Sequence, residues 1–270
     1  NNMNTNNIAH FVLQSKGGAG KSVCSSILAQ YLSEQNKETL LIDTDPSNKT
    51  LGSFKGLDVE EIQVLSKSKI VDQSAFDGFV NKFMSVDSAM LVDTGSGDFL
   101  PINSYILQNE LPEIFQENGK QMVIHCPINF GQSEEETIKC LIGIVANYPN
   151  TPIVVWENEF FGINTNEFRE TVLFKQTNNI IGSIKIRKML TDTEECDFSY
   201  MLKQSLTFNQ VSKATDSNYW GFIQKTRINR IKKEIWEQLD DLFDTFHSLS
   251  IANETSDAEQ VDPKKVSKKA

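Results

Sequence analysis

The chain has 270 residues and a mass of 30.5 kDa, enough for one large α/β domain or two small ones around a sizeable core. Its 36 acids against 26 bases give a formal charge of −10, which excludes a uniformly basic nucleic-acid footprint but not a local basic patch. No apolar run reaches membrane-spanning length, so a transmembrane helix is not expected. The polar, uncharged first seven residues give no sign of a secretory leader. Cys24, Cys126, Cys140 and Cys196 are dispersed without a CxxC pair, and there are three histidines. Reduced thiols in a cytoplasmic protein are expected, rather than a zinc site or disulfide framework.

In chain order, residues 8–13 are apolar apart from His10 and lead into a glycine-rich turn. The segment 21–35 then has helical spacing through Val23, Ile27, Leu28, Tyr31 and Leu32. A second strand is predicted over 39–42, closed by Asp43. Further strands are predicted at 89–92, 122–125, 153–156 and 180–186, with helices at 76–83, 104–115 and 134–148 between them. A long helix over 219–246 carries a stripe of Ile228, Ile231, Ile235, Leu239, Leu242 and Phe246. Near-continuous apolar strands separated by helices predict a three-layer α/β fold, a mostly parallel twisted sheet covered on both faces. Residues 1–7 read as a disordered start, 8–249 as the domain, and 250–270 as a disordered charged tail.

The informative segment is Ser15-Lys16-Gly17-Gly18-Ala19-Gly20-Lys21-Ser22, between the first strand and the first helix. It departs from the P-loop form GxxxxGK[ST] only in having Ser15 for the first glycine, and it adds Lys16. Glycines let consecutive N–H groups turn inward onto phosphate oxygens, which the helix N-terminus also favours. The residues from Gly17 to Val23 would line the phosphates, Lys21 would supply a charge to the β- and γ-phosphates, and the Ser22 hydroxyl could ligate Mg²⁺. Two carboxylates, Asp43 and Asp45, follow the second strand, where ligands of open α/β sheets bind. The strand ending in Asp93-Thr94-Gly95 has the form of a Walker B element. There Asp93 would hold Mg²⁺ through water and the Gly95 N–H could touch the γ-phosphate.

KGGxGK[ST] resembles the deviant Walker A motif of the P-loop ATPases typified by ParA and MinD. That resemblance implies a three-layer P-loop NTPase fold, ATP or ADP with Mg²⁺ as ligands, and slow ATP hydrolysis coupled to an ATP-dependent homodimer. It further implies that Lys16 acts on the nucleotide of the partner subunit, that Asp45 orients the attacking water with Asp43 nearer the magnesium, and that Asn158 reads adenine. An Ile-Pro segment expected over the base is absent, since Ile184-Lys185-Ile186-Arg187 has no proline. The segments AHFVLQSKGGAGKS, IDTDPSNKTLGSFKGLDV, LVDTGSGDFLPINSYI and VVWENEFFG resemble the plasmid conjugal-transfer TraL-type ATPases, implying a plasmid-transfer or partition protein as partner.

Two other readings compete. A metabolic phosphoryl-transfer enzyme would need substrate-binding cations beside the γ-phosphate, for which Lys49 and Lys55 are the candidates. A DNA-binding partition-type ATPase would use Lys225, Arg227, Arg230, Lys232 and Lys233 of the long helix, whose bland reading is a solvated face. A membrane partner is not expected. Residues 1–224 hold 27 acids and 17 bases, the whole of the −10. The long helix places its bases first and its acids last, against the macrodipole's preference, which suggests a contact with a partner or subunit.

Overall fold

The computed structural model describes residues 6–36, 38–45, 48, 51–64, 72–160, 162–165, 167–215 and 218–259, with side chains described as far as residue 247. The strands are β1 (Ile8–Val12), β2 (Thr39–Asp43), β3 (Val59–Glu61), β4 (Ala89–Asp93), β5 (Gln121–Asn129), β6 (Ile153–Asn158) and β7 (Ile180–Ile186). The helices are α1 (Lys21–Gln35), α2 (Gln73–Ser85), α3 (Phe99–Gln108), α4 (Leu111–Glu117), α5 (Glu134–Asn147), α6 (Val172–Gln176), α7 (Glu194–Lys203), α8 (Phe208–Lys213) and α9 (Phe222–Glu259). The sheet order is β3-β2-β4-β1-β5-β6-β7, and every pairing is parallel. The three-layer α/β expectation holds. β1 lies centrally, so the crevice beyond its carboxyl end is walled by the ends of β4 and β5.

Side-chain alternation along β1 sorts the core into two layers. Ala9, Phe11 and Leu13 join one cluster with residues of α2, α3, α4 and α5, such as Phe79, Ile106, Phe115 and Leu141. Ile8 and Val12 face the other cluster, built with α1, α7, α8 and α9. Fully burying one such side chain contributes about 1.5–3 kcal/mol. The stripe read from the long helix, Ile228 to Phe246, is buried in the second layer.

On the face of the second layer, β1 and β5 carry a buried imidazole pair, packed against Phe243. Trp156 Nε1 donates to His125 Nδ1 at 3.0 Å, which puts the His125 proton on Nε2. That proton is donated to His10 Nδ1 at 2.9 Å, and His10 Nε2 has no partner in the structure. Burial pushes His10 down to about 3. Burial, and then His10, hold His125 well below the ordinary range.

Several sequence boundaries are corrected. The helix expected over 104–115 is two helices, because Glu110 adopts a left-handed φ of 50° and Pro112 sits at the start of α4, where its missing N–H is tolerated. β3 was not legible, being a three-residue acidic edge strand. The start read as disordered is ordered at Asn7, whose backbone bonds Ser88 and Gln121 and whose side chain bonds Asp87 and Lys120. The long helix runs on to Glu259, into the stretch read as tail. No Gly or Pro interrupts it before Pro263, and residues 260–270 lie outside the described residues.

Among the described residues no helix is long and apolar enough to cross a membrane. The basic end of α9 is largely neutralised within the molecule. Arg227 pairs with Asp197 at 2.6 Å, Lys232 with Glu34 at 2.7 Å and Lys233 with Glu237 at 3.7 Å. Lys225 donates to the Ala214 carbonyl. Three of these contacts are with the rest of the domain and one lies within the helix, so much of the basic end meets its counter-charge inside the chain.

Candidate functional site

The glycine-rich loop joins β1 to α1 at the centre of the sheet. Gly18 and Gly20 take φ of 71° and 83°, the left-handed conformation in which a side chain is strained, and Gly20 caps α1. Such a turn at a helix N-terminus presents backbone N–H groups to an anion. Gln14, fully buried just before it, sets the loop's entry. Its amide donates to the Pro127 carbonyl at 2.7 Å and accepts the Lys16 N–H at 3.1 Å. Ser15 N–H donates to Cys140 Sγ at 3.4 Å. Hydrogen bonding with Cys126, and next with Ser15, pushes the Cys140 thiol down to about 6 against its burial.

The two lysines of the loop occupy different environments. Lys21 is buried; burial lowers its ammonium, and Asp93 and then Asp45 counter that shift. Lys16 lies over the first turn of α5, paired with Glu136 at 2.7 Å with 35% of its side chain exposed. That turn carries Glu134, Glu135 and Glu136.

The strand ends meet in one cluster. Thr44 N–H and hydroxyl both donate to the Asp93 carbonyl, at 3.0 and 3.1 Å. The Thr94 hydroxyl donates to the Val12 carbonyl at 2.6 Å. Asp93 is buried, and its Oδ1 accepts the Ser25 hydroxyl at 2.6 Å. Ser25 was missed from the sequence, although it lies three residues after Ser22 and so on the same helix face. Ser22 itself is half-buried at the start of α1, as is Val23, and Ala19 is buried in the loop. Gly17 lies beside Ser96, whose Oγ is 3.6 Å from the position a Cβ would take.

Asp43 is fully buried, and both its oxygens hold backbone: Oδ1 takes the Asp45 N–H and Oδ2 the Gly52 N–H, each at 2.9 Å. These two bonds shape the turn after β2. Asp45 abuts Gly95 so closely that a Cβ there would meet Asp45 Oδ2 at 2.5 Å. A further carboxylate, Asp98, was not singled out in the sequence. Burial, and next the Asp45 charge, push it up to about 6 against Lys21. Of the cations proposed for a metabolic substrate, Lys55 is exposed and Lys49 lies outside the described residues.

Asn158 ends β6, fully buried. Its Oδ1 accepts the Phe160 N–H at 3.1 Å, while its Nδ2 has no partner. Asn129, opposite it on β5, was also missed; its Nδ2 donates to the Gly18 carbonyl at 3.3 Å. A left-handed glycine turn, a buried lysine countered by two carboxylates and an unpaired amide two strands away fit a nucleoside phosphate held along the carboxyl edge of the sheet.

Comparison with known proteins agrees. Residues 10–261 match the model of the CobQ/CobB/MinD/ParA nucleotide binding domain. Two Escherichia coli proteins, each called Protein TraL, are 30% and 28% identical to the chain over 236 residues, covering 86% of it and 96% of each relative. Among solved structures, a plasmid partition protein from Borrelia burgdorferi bound to AMPPNP covers 83% of this chain and 96% of its own, at 16% identity and a TM-score of 0.45. The MinD cell division protein of Aquifex aeolicus covers 83% and 95%, at 17% identity and a TM-score of 0.44. The chain thus belongs to the CobQ/CobB/MinD/ParA nucleotide-binding domain family and is similar to the TraL proteins over most of its length.

Proposed function

We propose that the chain is an ATP-binding, slowly hydrolysing switch, closed as a homodimer with Mg·ATP and opened by hydrolysis, that serves plasmid conjugal transfer or maintenance through a protein partner. The observation that carries this reading is the divergence of the two loop lysines. Lys21 is buried with Asp93 and Asp45, whereas Lys16 stands over α5, partly exposed. A lysine placed outside its own pocket can serve the triphosphate of a second copy. Two facing triphosphates repel, so a cation donated across the interface makes association depend on ATP.

Within one subunit, the N–H groups from Gly17 to Val23 bind phosphate oxygens and Lys21 neutralises the β- and γ-phosphates. Ser22 and Asp93 would hold magnesium, with the Ser25 hydroxyl fixing the Asp93 carboxylate. The chemistry that magnesium supplies when bound is neutralisation of charge across the β- and γ-oxygens. Asp45 orients the attacking water, and Asp43 keeps Asp45 in place by accepting its N–H. The Gly95 N–H faces the γ-phosphate. Asn158 Nδ2, a buried donor without a partner, reads the base. Catalysis here is positioning and charge neutralisation, with no covalent intermediate.

The plasmid role is supported by the likeness to the TraL proteins over 86% of the chain. The test of the switch is molecular mass in solution with ADP, ATP and a non-hydrolysable ATP analogue. A dimer with ATP and the analogue but not with ADP is expected. A monomer in all three refutes the switch and favours the metabolic phosphoryl-transfer reading.

A further inference from the structure

Asn129 and Asn158 are the last paired residues of β5 and β6. Residues in register on neighbouring strands point to the same face, with the strands about 4.8 Å apart. Each amide has one satisfied end. Asn129 Nδ2 donates to the Gly18 carbonyl at 3.3 Å, and Asn158 Oδ1 accepts the Phe160 N–H at 3.1 Å. Each has one buried end without a partner, Asn129 Oδ1 and Asn158 Nδ2. These are an acceptor and a donor, the two halves of a single amide–amide hydrogen bond. Buried polar groups are almost always satisfied, so a matched unpaired donor and acceptor on adjacent strands call for an explanation.

The backbone around the pair is fixed. Asn129 N–H donates to the Thr137 hydroxyl at 3.1 Å, and Glu159 N–H to the Ile186 carbonyl at 2.9 Å. The loops beyond the two strands also touch: a Cβ on Gly162 would lie 2.2 Å from the Phe130 carbonyl oxygen. With both backbones held, side-chain rotation is the remaining freedom.

We infer that Asn129 is a positioning residue that couples the base-side loop after β6 to the phosphate loop, through an amide relay running Phe160 N–H, Asn158, Asn129, Gly18 carbonyl. This rests on the reading of the chain as an ATP-binding protein with Asn158 at the base. A base seated against Asn158 takes one Nδ2 hydrogen and turns the amide, so that the second Nδ2 hydrogen closes onto Asn129 Oδ1. The closed relay holds the Gly18 carbonyl outward, leaving the loop N–H groups aimed at phosphate. The wrong base leaves the relay open, so a residue that does not touch the base contributes to choosing it.

The test measures equilibrium affinities for ATP, GTP and inorganic tripolyphosphate in the full chain, Asn129→Ala, Asn158→Ala and the double variant. The unaltered chain should prefer ATP to GTP, and each single variant should lose about tenfold of that preference. The double variant should lose no more than the worse single one, because the residues act as a unit. Tripolyphosphate, which has no base, should bind both singles within about twofold of each other. Losses that multiply in the double variant overturn the relay, as does an Asn129→Ala chain that weakens all three ligands equally and keeps its ATP preference. Should Asn129→Ala fail to fold, Asn129→Asp replaces it, since the added oxygen cannot donate to the Gly18 carbonyl; a full ATP preference in Asn129→Asp overturns the proposal. An unaltered chain that shows no preference for ATP refutes the base-reading role itself, a result separate from multiplying losses.

Discussion

Acid should destabilise this protein through the His10–His125 pair before most of its carboxylates protonate. Both imidazoles are completely buried and neutral, with His10 at about 3 and His125 well below the ordinary range, while both titrate near 6.5 in the unfolded chain. A depressed histidine leaves stability intact above the unfolded value. As pH falls below it, the unfolded chain binds protons that the folded one refuses. Each histidine then costs about 1.4 kcal/mol per pH unit, so the pair removes roughly 4 kcal/mol between pH 7.5 and pH 5. That is a large share of a typical stability of about 5–15 kcal/mol. Urea unfolding followed by Trp fluorescence at pH 7.5, 6.5, 5.5 and 5.0 reads the loss directly. In His125→Gln, whose amide can still accept from Trp156 and donate to His10, the slope should fall by about half. A nucleotide-free chain whose stability is flat from pH 7 to pH 5, or a variant with the parent's slope, would refute the account.

Four further substitutions separate the roles in the crevice. Lys16→Ala should abolish ATP-dependent dimers. Glu136→Gln should promote them by at most about fivefold at low salt, because a half-exposed ion pair contributes about 0.2–1 kcal/mol; light scattering across an ATP titration distinguishes the two. Asp45→Ala should keep ATP affinity and lose turnover, measured by nucleotide binding beside phosphate release, and unchanged turnover removes Asp45 from the mechanism. Ser25→Ala removes a hydrogen bond to a charged group worth about 1.5–3 kcal/mol. It should weaken magnesium-dependent ATP binding by about tenfold or more, with binding in excess chelator unchanged.

The fold and the centre of the site were legible because their signals are local. The seven-residue run from Lys16 to Ser22, glycine, lysine and serine apart from Ala19, an apolar strand closed by Asp43 and another closed by Asp93 identify themselves by spacing, since each motif is shaped by its own backbone. The buried stripe of α9 was legible for the same reason, through its helical period. The break at Glu110 was missed because periodicity continued across it, and β3 because a three-residue edge strand with two glutamates carries almost no hydrophobic signal.

What the folded chain alone decided are the partners, since side chains far apart in sequence meet only when the sheet is assembled. Gly18 and Asn129 are separated by 111 positions, and Lys232 and Glu34 by 198. The sequence marked Asp43 as a carboxylate at a strand end, and only the folded turn places the Asp45 and Gly52 N–H groups on its oxygens. It singled out five bases on one helix, yet the body supplies acids or a carbonyl to three of them, and a fourth pairs with Glu237 one turn along the same helix. The net charge of −10 excluded a basic surface from the start. Where each charge finds its counterpart follows from packing, because Coulomb attraction acts over ångströms in space and not along the chain.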